Sequence, residues 1–484
     1  MAGEPTSSSS SSNPNPNSSA NAGGTAGETR ADRYRDAFVP TLGRYFPEAL
    51  SNAVVLAALA LLVTVPFLEP MTQLELLGTG FFDLFSVQML LILYWVLGAA
   101  LVESPRVGAV LDRFAAALPT SQAGVIYATG VLSLLLGWLN WALGLIGGIY
   151  LGQRLCRRAR ENGIAVHYPA VLTASLLALV LTNQGLSSPG GLMLADESGL
   201  ANFMVDEVGS IAMSEFLLHP VNLVSTAVFV LTLPALLVVL APDADAADGT
   251  DDAITTLGER NALLDRTESI AAAFDHYSPA VPPADWEVGD RLENSRLITA
   301  LAVAVGLISA GWYFGTGGRL TLPWLAFTLL ILGLAVQGPP MAFRKKTEDA
   351  TRWALHVAVP FLLYAGVWAL LDEAGLYGTI GDAIAATGVP AAASYVVAFA
   401  LGLLVPDPGS LWVLQGPAVA AADVDLVGSL VATMYGAGLS NLWLGFLFAS
   451  LLSLYGFDWR EFVRYAGAVT VYVTAVVVGL LLLF

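Results

Sequence analysis

Cysteine is almost missing from this sequence, since Cys156 stands alone. One thiol allows no intramolecular disulfide and no cysteine-based metal centre. Histidine is scarce too, with 4 scattered copies and no HExxH or comparable cluster. Charge is the third shortage. Only 12% of residues are Asp, Glu, Lys or Arg, about half the ~25% of an ordinary soluble domain. Basic charge is scarcest: 21 Lys and Arg face 39 Asp and Glu, a net −18. That balance repels phosphate and excludes a nucleic-acid binder. Of the 21 basic residues only Lys345 and Lys346 are lysines, leaving 19 arginines. An acidic, lysine-poor surface stays hydrated in concentrated salt, where screening removes its self-repulsion. A halophilic source is expected, with sodium as the plentiful ion.

What fills the chain instead is apolar. Of 484 residues, 56% are hydrophobic. This excludes a disordered chain and argues against a soluble enzyme. Stretches of about 20 apolar residues recur, each long enough to cross a bilayer as a helix. They fall near 50–67, 81–101, 121–152, 168–183, 217–241, 297–314, 319–338, 352–371, 391–422, 426–455 and 463–484. The reading is an all-α, multi-pass protein of the cell membrane with about 9–10 transmembrane helices.

Two long segments are polar. Residues 1–44 begin as a Ser, Asn, Gly and Pro tract that cannot bury enough surface to order itself. It lacks the basic and apolar regions of a signal peptide, so a disordered cytoplasmic tail is expected. Residues 242–294 open with PDADAADGTDD and read as an acidic cytoplasmic connector, with one short amphipathic helix near 252–274. Its aspartates lack the spacing of a calcium loop. The connector divides a first membrane half, 45–241, from a second, 295–484.

Arginine placement orients the spans by the positive-inside rule. Arg30, Arg33, Arg35 and Arg44 put the N-terminus inside, and the basic-free connection 67–80 reads as outside. Residues 121–152 lie between Arg106 and Arg113 on one side and Arg154, Arg157, Arg158 and Arg160 on the other, so both their ends are inside. A straight helix of that length would run about 48 Å, too long for a ~30 Å core and unable to return to its own face. Two arms folding back at Gly137-Trp138-Leu139-Asn140 satisfy both constraints, which makes 121–152 a re-entrant hairpin. Residues 168–205 then form a broken helix, interrupted over Asn183–Gly191. In the second half 391–422 folds at Pro406–Ser410 and enters from outside. A second broken helix, 426–455, is interrupted near Tyr435–Asn441, and the C-terminus falls outside. Two re-entrant hairpins of opposite entry, each followed by a broken helix, make an inverted-topology repeat, a signature of secondary transporters.

Broken elements carry chemistry because backbone polar groups cannot be left bare in lipid. Amides freed at a half-helix N-terminus favour an anion, and freed carbonyls can coordinate sodium. No basic residue lies inside any span, so an anionic substrate would rest on amides and on Ser, Asn and Thr groups. Asp407, between two prolines at the second turn, is the sharpest candidate for the coupling cation or proton. The alternative is an Asp chosen for turn chemistry at a wet surface. Asn140, between Trp138 and Trp141, is a candidate ligand at the first tip; the alternative is an interhelical hydrogen bond. Ser187, Ser188, Ser440 and Asn441 beside the glycine breaks, and Gln415 in the second hairpin, complete the residues read from position. His356 near Arg352 reads as interfacial and His219 as the start of a span.

At these residues the sequence resembles a known family. NWALGLIGGIYLGQRLCRRA (140–159), LENSRLITAL (292–301), LVPDPGSLWVLQGPAV (404–419) and the C-terminal GFDWREFVRYAGAVTVYVTAVVVGLLLLF (456–484) are similar to the short-chain fatty acid transporter family, in order along about 40–484. The resemblance implies uptake of small monocarboxylates such as butyrate or acetoacetate. It also implies an ion-coupled transporter with two inverted hairpin repeats, often dimeric, working by an elevator motion. The family pattern covers Asn140, Trp141, Gly144, Pro406, Gly409, Trp412, Gln415, Gly416 and Pro417. It departs at the second tip, where the family reads VPSGGGHW and this chain has Val405-Pro406-Asp407-Pro408-Gly409-Ser410-Leu411-Trp412. The added carboxylate would repel a carboxylate substrate unless sodium or a proton neutralised it.

The resulting expectation is a cation-coupled symporter of short-chain fatty acids and not an enzyme. No catalytic residue and no cofactor is expected, apart from a sodium ion. Substrate would be held by Asn140, Trp141, Gly144, Asn183, Gly185, Ser187, Ser188, Gly409, Ser410, Gln415, Gly416, Ser440 and Asn441, and the cation by Asp407, Asn140 and Asn441. The partners would be a small organic anion, the cation, the lipid bilayer and a second protomer. A carrier of another anion (a dicarboxylate or amino-acid derivative), a membrane enzyme and a passive channel are the rivals. The enzyme would need a cluster of acids or histidines at one interface, which is not found.

Overall fold

The structure, a computed structural model, describes residues 49–242, 269–275, 277–444 and 459–484. The expected N-terminal tail, 243–268 of the connector and 445–455 of the second broken helix lie outside the described residues. Among the described residues every regular element is helical. Six helical stretches are long and apolar enough to cross a membrane, from Phe85–Val102 to Phe462–Leu483, and four shorter apolar helices accompany them.

The chain opens with Ala49–Thr64, which turns into a second helix, Pro70–Asp83. The expected bare connection at 67–80 is therefore mostly helix. Pro70 sits at the first helical turn, where its fixed φ and missing N–H cost nothing. Gln73 Nε2 donates to the Leu61 carbonyl (2.9 Å) and to Thr64 Oγ1 (2.8 Å), which locks the two helices side by side. Phe85–Val102 follows, and 72% of it is buried. It is the central strut of the molecule.

The chain then runs Gln122–Leu139, stops at Asn140, passes a π-helical turn at Leu143–Gly147 and continues as Gly148–Glu161. The two arms lie antiparallel. A Cβ at Gly144 would overlap Gly137, one at Gly148 would overlap Ser133 Oγ, and one at Gly152 would stand 3.1 Å from Thr129. Each pair is centred on Asn140–Trp141. Small residues at successive turns let the backbones approach, as in membrane helix pairs. Tyr168–Leu176 and Ala178–Thr182 pack onto this seam through Ser175 and Ala178. Helix then ceases until Pro189–Leu194.

In the second half Pro390–Gly402 and Pro408–Ala421 flank a turn at Leu403–Asp407. Gln415 Nε2 joins these arms by donating to the Ser394 carbonyl (2.8 Å). The next helix, Leu426–Trp443, runs without interruption through Tyr435–Asn441. The break expected there is absent. The glycines that suggested it serve close packing: a Cβ at Gly436 would sit 2.5 Å from the Tyr395 carbonyl oxygen, and one at Gly438 2.7 Å from that of Leu179. A different span is broken instead. Residues 351–373 consist of a 3-10 turn at Thr351–Ala354, a short helix Leu355–Ala358 and then Pro360–Glu373. Pro360 has no N–H to extend the ladder of the preceding turn.

Part of the connector is docked. Ile270–Phe274 lies against Pro105–Ala117, where Asp112 accepts from the amides of Ile270 (3.0 Å) and Ala271 (3.1 Å). Phe274 is buried and meets the Tyr150 ring of the first hairpin edge-on at 4.7 Å.

Candidate functional site

The site grows from two chain reversals and one break. At the first reversal Asn140 adopts extended backbone, and its Oδ1 accepts from the amides of Ala142 (3.0 Å) and Leu143 (3.3 Å). That cap starts the π-helical turn, a geometry enriched at functional sites. It leaves the Asn140 Nδ2 donor buried without a partner. The tip then meets the break. Leu186 N donates to the Trp138 carbonyl (2.8 Å), and any Cβ at Gly185 would overlap that same carbonyl oxygen. Glycine is required at 185 by this approach. Ser188 caps the following short helix by accepting from Gly191 N (3.4 Å), while Ser187 Oγ is buried and unpartnered.

At the second reversal Asp407 is fully buried and caps Pro408–Ala421. Its Oδ2 accepts from Ser410 N (2.5 Å) and Ser410 Oγ (2.7 Å), and its Oδ1 accepts from Trp95 Nε1 (2.9 Å). Among the described residues no lysine or arginine pairs with it. A buried carboxylate without a basic partner marks a functional position, and Trp95 and Ser410 supply three donors to it.

Tyr94 and Trp95, in the middle of Phe85–Val102, draw these parts together. Tyr94 Oη donates to the Ser187 carbonyl (3.0 Å) at the break, and Trp95 reaches Asp407 at the second tip. Trp141, at the first tip, donates from its indole to the Tyr94 carbonyl (3.4 Å) and lies 4.3 Å from the Trp95 ring. His356 meets the Trp95 ring edge-on at 4.6 Å, and Trp353 meets Trp141 at 5.5 Å. His356 Nε2 and Trp353 Nε1 are both buried and unpartnered. The open donors Asn140 Nδ2, Ser187 Oγ and Trp353 Nε1, with the carboxylate and the aromatic wall, suit a ligand with acceptor oxygens.

Of the residues expected at the site, Asn140, Trp141, Gly185, Ser187, Ser188, Asp407 and Ser410 meet around this strut. Gly409 packs against Leu91, where a Cβ would come within 2.6 Å. Asn183 is buried at the end of Ala178–Thr182, with its Nδ2 near Gly438 of the Leu426–Trp443 helix. Other candidates have packing roles. Gly144 makes the hairpin seam, Gly416 makes room for Trp412 and Met204, and Gln415 holds Ser394 and Thr433. Ser440 donates to the Ala437 carbonyl of its own helix (2.8 Å) and faces Gly402, and Asn441 follows it, buried. The Asp407 oxygens are bonded to Trp95 and Ser410 rather than to Asn140 or Asn441, so the expected cation trio is not joined by direct hydrogen bonds.

Sequence reasoning missed Tyr94, Trp95, Trp353 and His356. Their one local signal was position: an aromatic pair at the centre of an apolar span is misplaced for an interfacial belt. Arg352, which suggested an interface for His356, pairs with Glu103 at 3.1 Å.

A family model described as short chain fatty acid transporter matches residues 32–484. A protein of Escherichia coli (strain K12), whose name proposes short-chain fatty acid transport, is 25% identical over 448 residues, covering 90% of this chain and 95% of its own. A Haemophilus influenzae (strain ATCC 51907 / DSM 11121 / KW20 / Rd) protein of the same name is 25% identical over 468 residues, covering 93% and 99%. Among solved structures, the Alcanivorax borkumensis YdaH transporter aligns over 90% of this chain and 97% of its own, with 14% identity and a TM-score of 0.47.

Proposed function

The chain belongs to the short-chain fatty acid transporter family, and from that membership we propose cation-coupled symport of short-chain monocarboxylates, of the butyrate or acetoacetate type, by alternating access. It is a multi-pass membrane transporter, not an enzyme. The observation that carries the coupling is Asp407, a wholly buried carboxylate at a hairpin tip with no basic partner among the described residues. A cation taken up there relieves the cost of the charge and screens a carboxylate substrate from it. Asp407 holds the cation, sodium or a proton. Asn140, Asn183, Ser187 and Ser188 hold the carboxylate, assisted by the amides of Gly185 and Gly409. Trp141, Gly144, Gln415 and Gly416 shape the walls.

The hairpins enter from opposite faces and move as one body past a scaffold in an elevator motion, in a dimer. The N-terminus lies inside, the C-terminus outside, and the acidic surface fits a salt-rich habitat. The test is uptake of labelled butyrate into proteoliposomes under sodium or proton gradients, with lithium or choline as controls. Accumulation above equilibration under one gradient is expected. Equilibration without accumulation would reduce the protein to a passive carrier, and competition by dicarboxylates alone would reassign the substrate.

A further inference from the structure

We propose that Trp95 is the coupling residue of this transporter: it transmits the state of Asp407 at the second hairpin tip to Trp141 and Asn140 at the first. The inference rests on the symport reading above and adds the route by which one tip senses the other.

The argument starts from the lone pairs of Asp407. An ionised carboxylate offers about four acceptor sites, two on each oxygen. Ser410 N and Ser410 Oγ occupy both sites of Oδ2. Trp95 Nε1 occupies one site of Oδ1. The remaining site is on Oδ1, so an arriving sodium ion or proton lands on the very oxygen that holds the indole. A positive charge there opposes the indole N–H, whose hydrogen is itself positive, and weakens or displaces that bond.

Trp95 cannot move alone. Its ring lies 4.3 Å from Trp141 and 4.6 Å from His356, and it is next in sequence to Tyr94, which holds the break at Ser187. Trp141 is seated against Gly98, where a Cβ would come within 2.6 Å of its indole nitrogen. A shift of Trp95 therefore presses on Trp141, whose neighbour Asn140 keeps a buried, unpartnered donor. Packed rings pass displacement on because interiors have little free volume. Trp95 touches the reacting carboxylate but carries neither cation nor substrate, so its role is positioning.

The test compares wild type, Trp95→Phe and Trp95→His in proteoliposomes. Trp95→Phe keeps a ring and removes the N–H; Trp95→His restores a ring donor. Exchange of labelled for unlabelled butyrate at equal concentrations measures the site without coupling. Trp95→Phe should lower gradient-driven accumulation at least tenfold and exchange by a smaller factor, and Trp95→His should recover part of the accumulation. Full accumulation by Trp95→Phe would overturn the proposal. A second readout needs no substrate. Adding sodium against choline, or stepping the pH, should change the tryptophan fluorescence of purified wild type saturably. The change should vanish in Trp95→Phe, and an undiminished change would also overturn the proposal. Should Trp95→Phe fail to exchange, the fluorescence titration and Trp95→His decide. If wild type accumulates nothing under any gradient, the symport reading fails by itself, and the fluorescence arm still judges Trp95.

Discussion

Between Gln122 and Glu161 the arms of the first hairpin touch through glycine and serine, backbone against backbone, and its tip presents a neutral amide, Asn140. Between Pro390 and Ala421 the arms meet through a side-chain amide, Gln415, and the tip presents a carboxylate between prolines. At Gly144 and Gly148 the first hairpin has no room for an added methyl. The second has polar contacts that can be removed without collision. The contrast separates shape from charge: the first tip fits the break by close approach, and the second supplies the electrostatics.

Three substitutions sharpen that contrast. The largest effect belongs to Gly185→Ala. Its new Cβ would overlap the Trp138 carbonyl, and the hydrogen bond from Leu186 N to that oxygen would have to open. Overpacking commonly costs about 1–3 kcal/mol or more, and here it strikes the contact between tip and break. Exchange of labelled butyrate should fall below a tenth of wild type, and a variant with normal exchange would show that the contact is dispensable. An intermediate effect is expected for Gln415→Leu, which removes donors to Ser394 and Thr433. About 1–2 kcal/mol is at stake, so thermal unfolding in detergent should drop by a few degrees while transport persists.

The smallest effect lies outside the hairpins, where His219 Nε2 and Asp425 Oδ2 stand 3.5 Å apart at the starts of two helices, one from each half. The hydrogen bond from His219 holds the Asp425 carboxyl below the usual carboxylate range. A depressed carboxyl contributes stability above its ordinary range and loses it as pH falls through the folded value. Because Asp425 is largely exposed, the contribution is under about 1 kcal/mol. His219→Gln should lower the melting temperature slightly at pH 7 and not at pH 2.5, and an equal loss at both would assign the effect to packing.

Much of the fold could be read without coordinates because apolar length and arginine position are local signals. The reversal at Asn140 follows from a run too long to be one span, and an interruption within 183–191 from clustered Gly, Ser and Pro, though helix already resumes at Pro189. Glycine misled at Gly436 and Gly438, since a glycine in an apolar helix signals either a break or a close neighbour. Only the partner, here Tyr395 or Leu179, tells which. The site was half legible. Asp407 declared itself by its cost, but its partner Trp95 is 312 positions away in the chain, and no local pattern announces that contact. His356 lies in a span broken at Pro360, a residue whose missing N–H is a local signal of the break.

The central claim is that Asp407 carries the coupling charge. Asp407→Asn removes the charge and keeps one acceptor oxygen, which can serve Ser410 or Trp95 but not both. Uptake of labelled butyrate into proteoliposomes should then become independent of the sodium or proton gradient, with equal-concentration exchange retained. Accumulation by Asp407→Asn with the ion dependence of wild type would contradict the account.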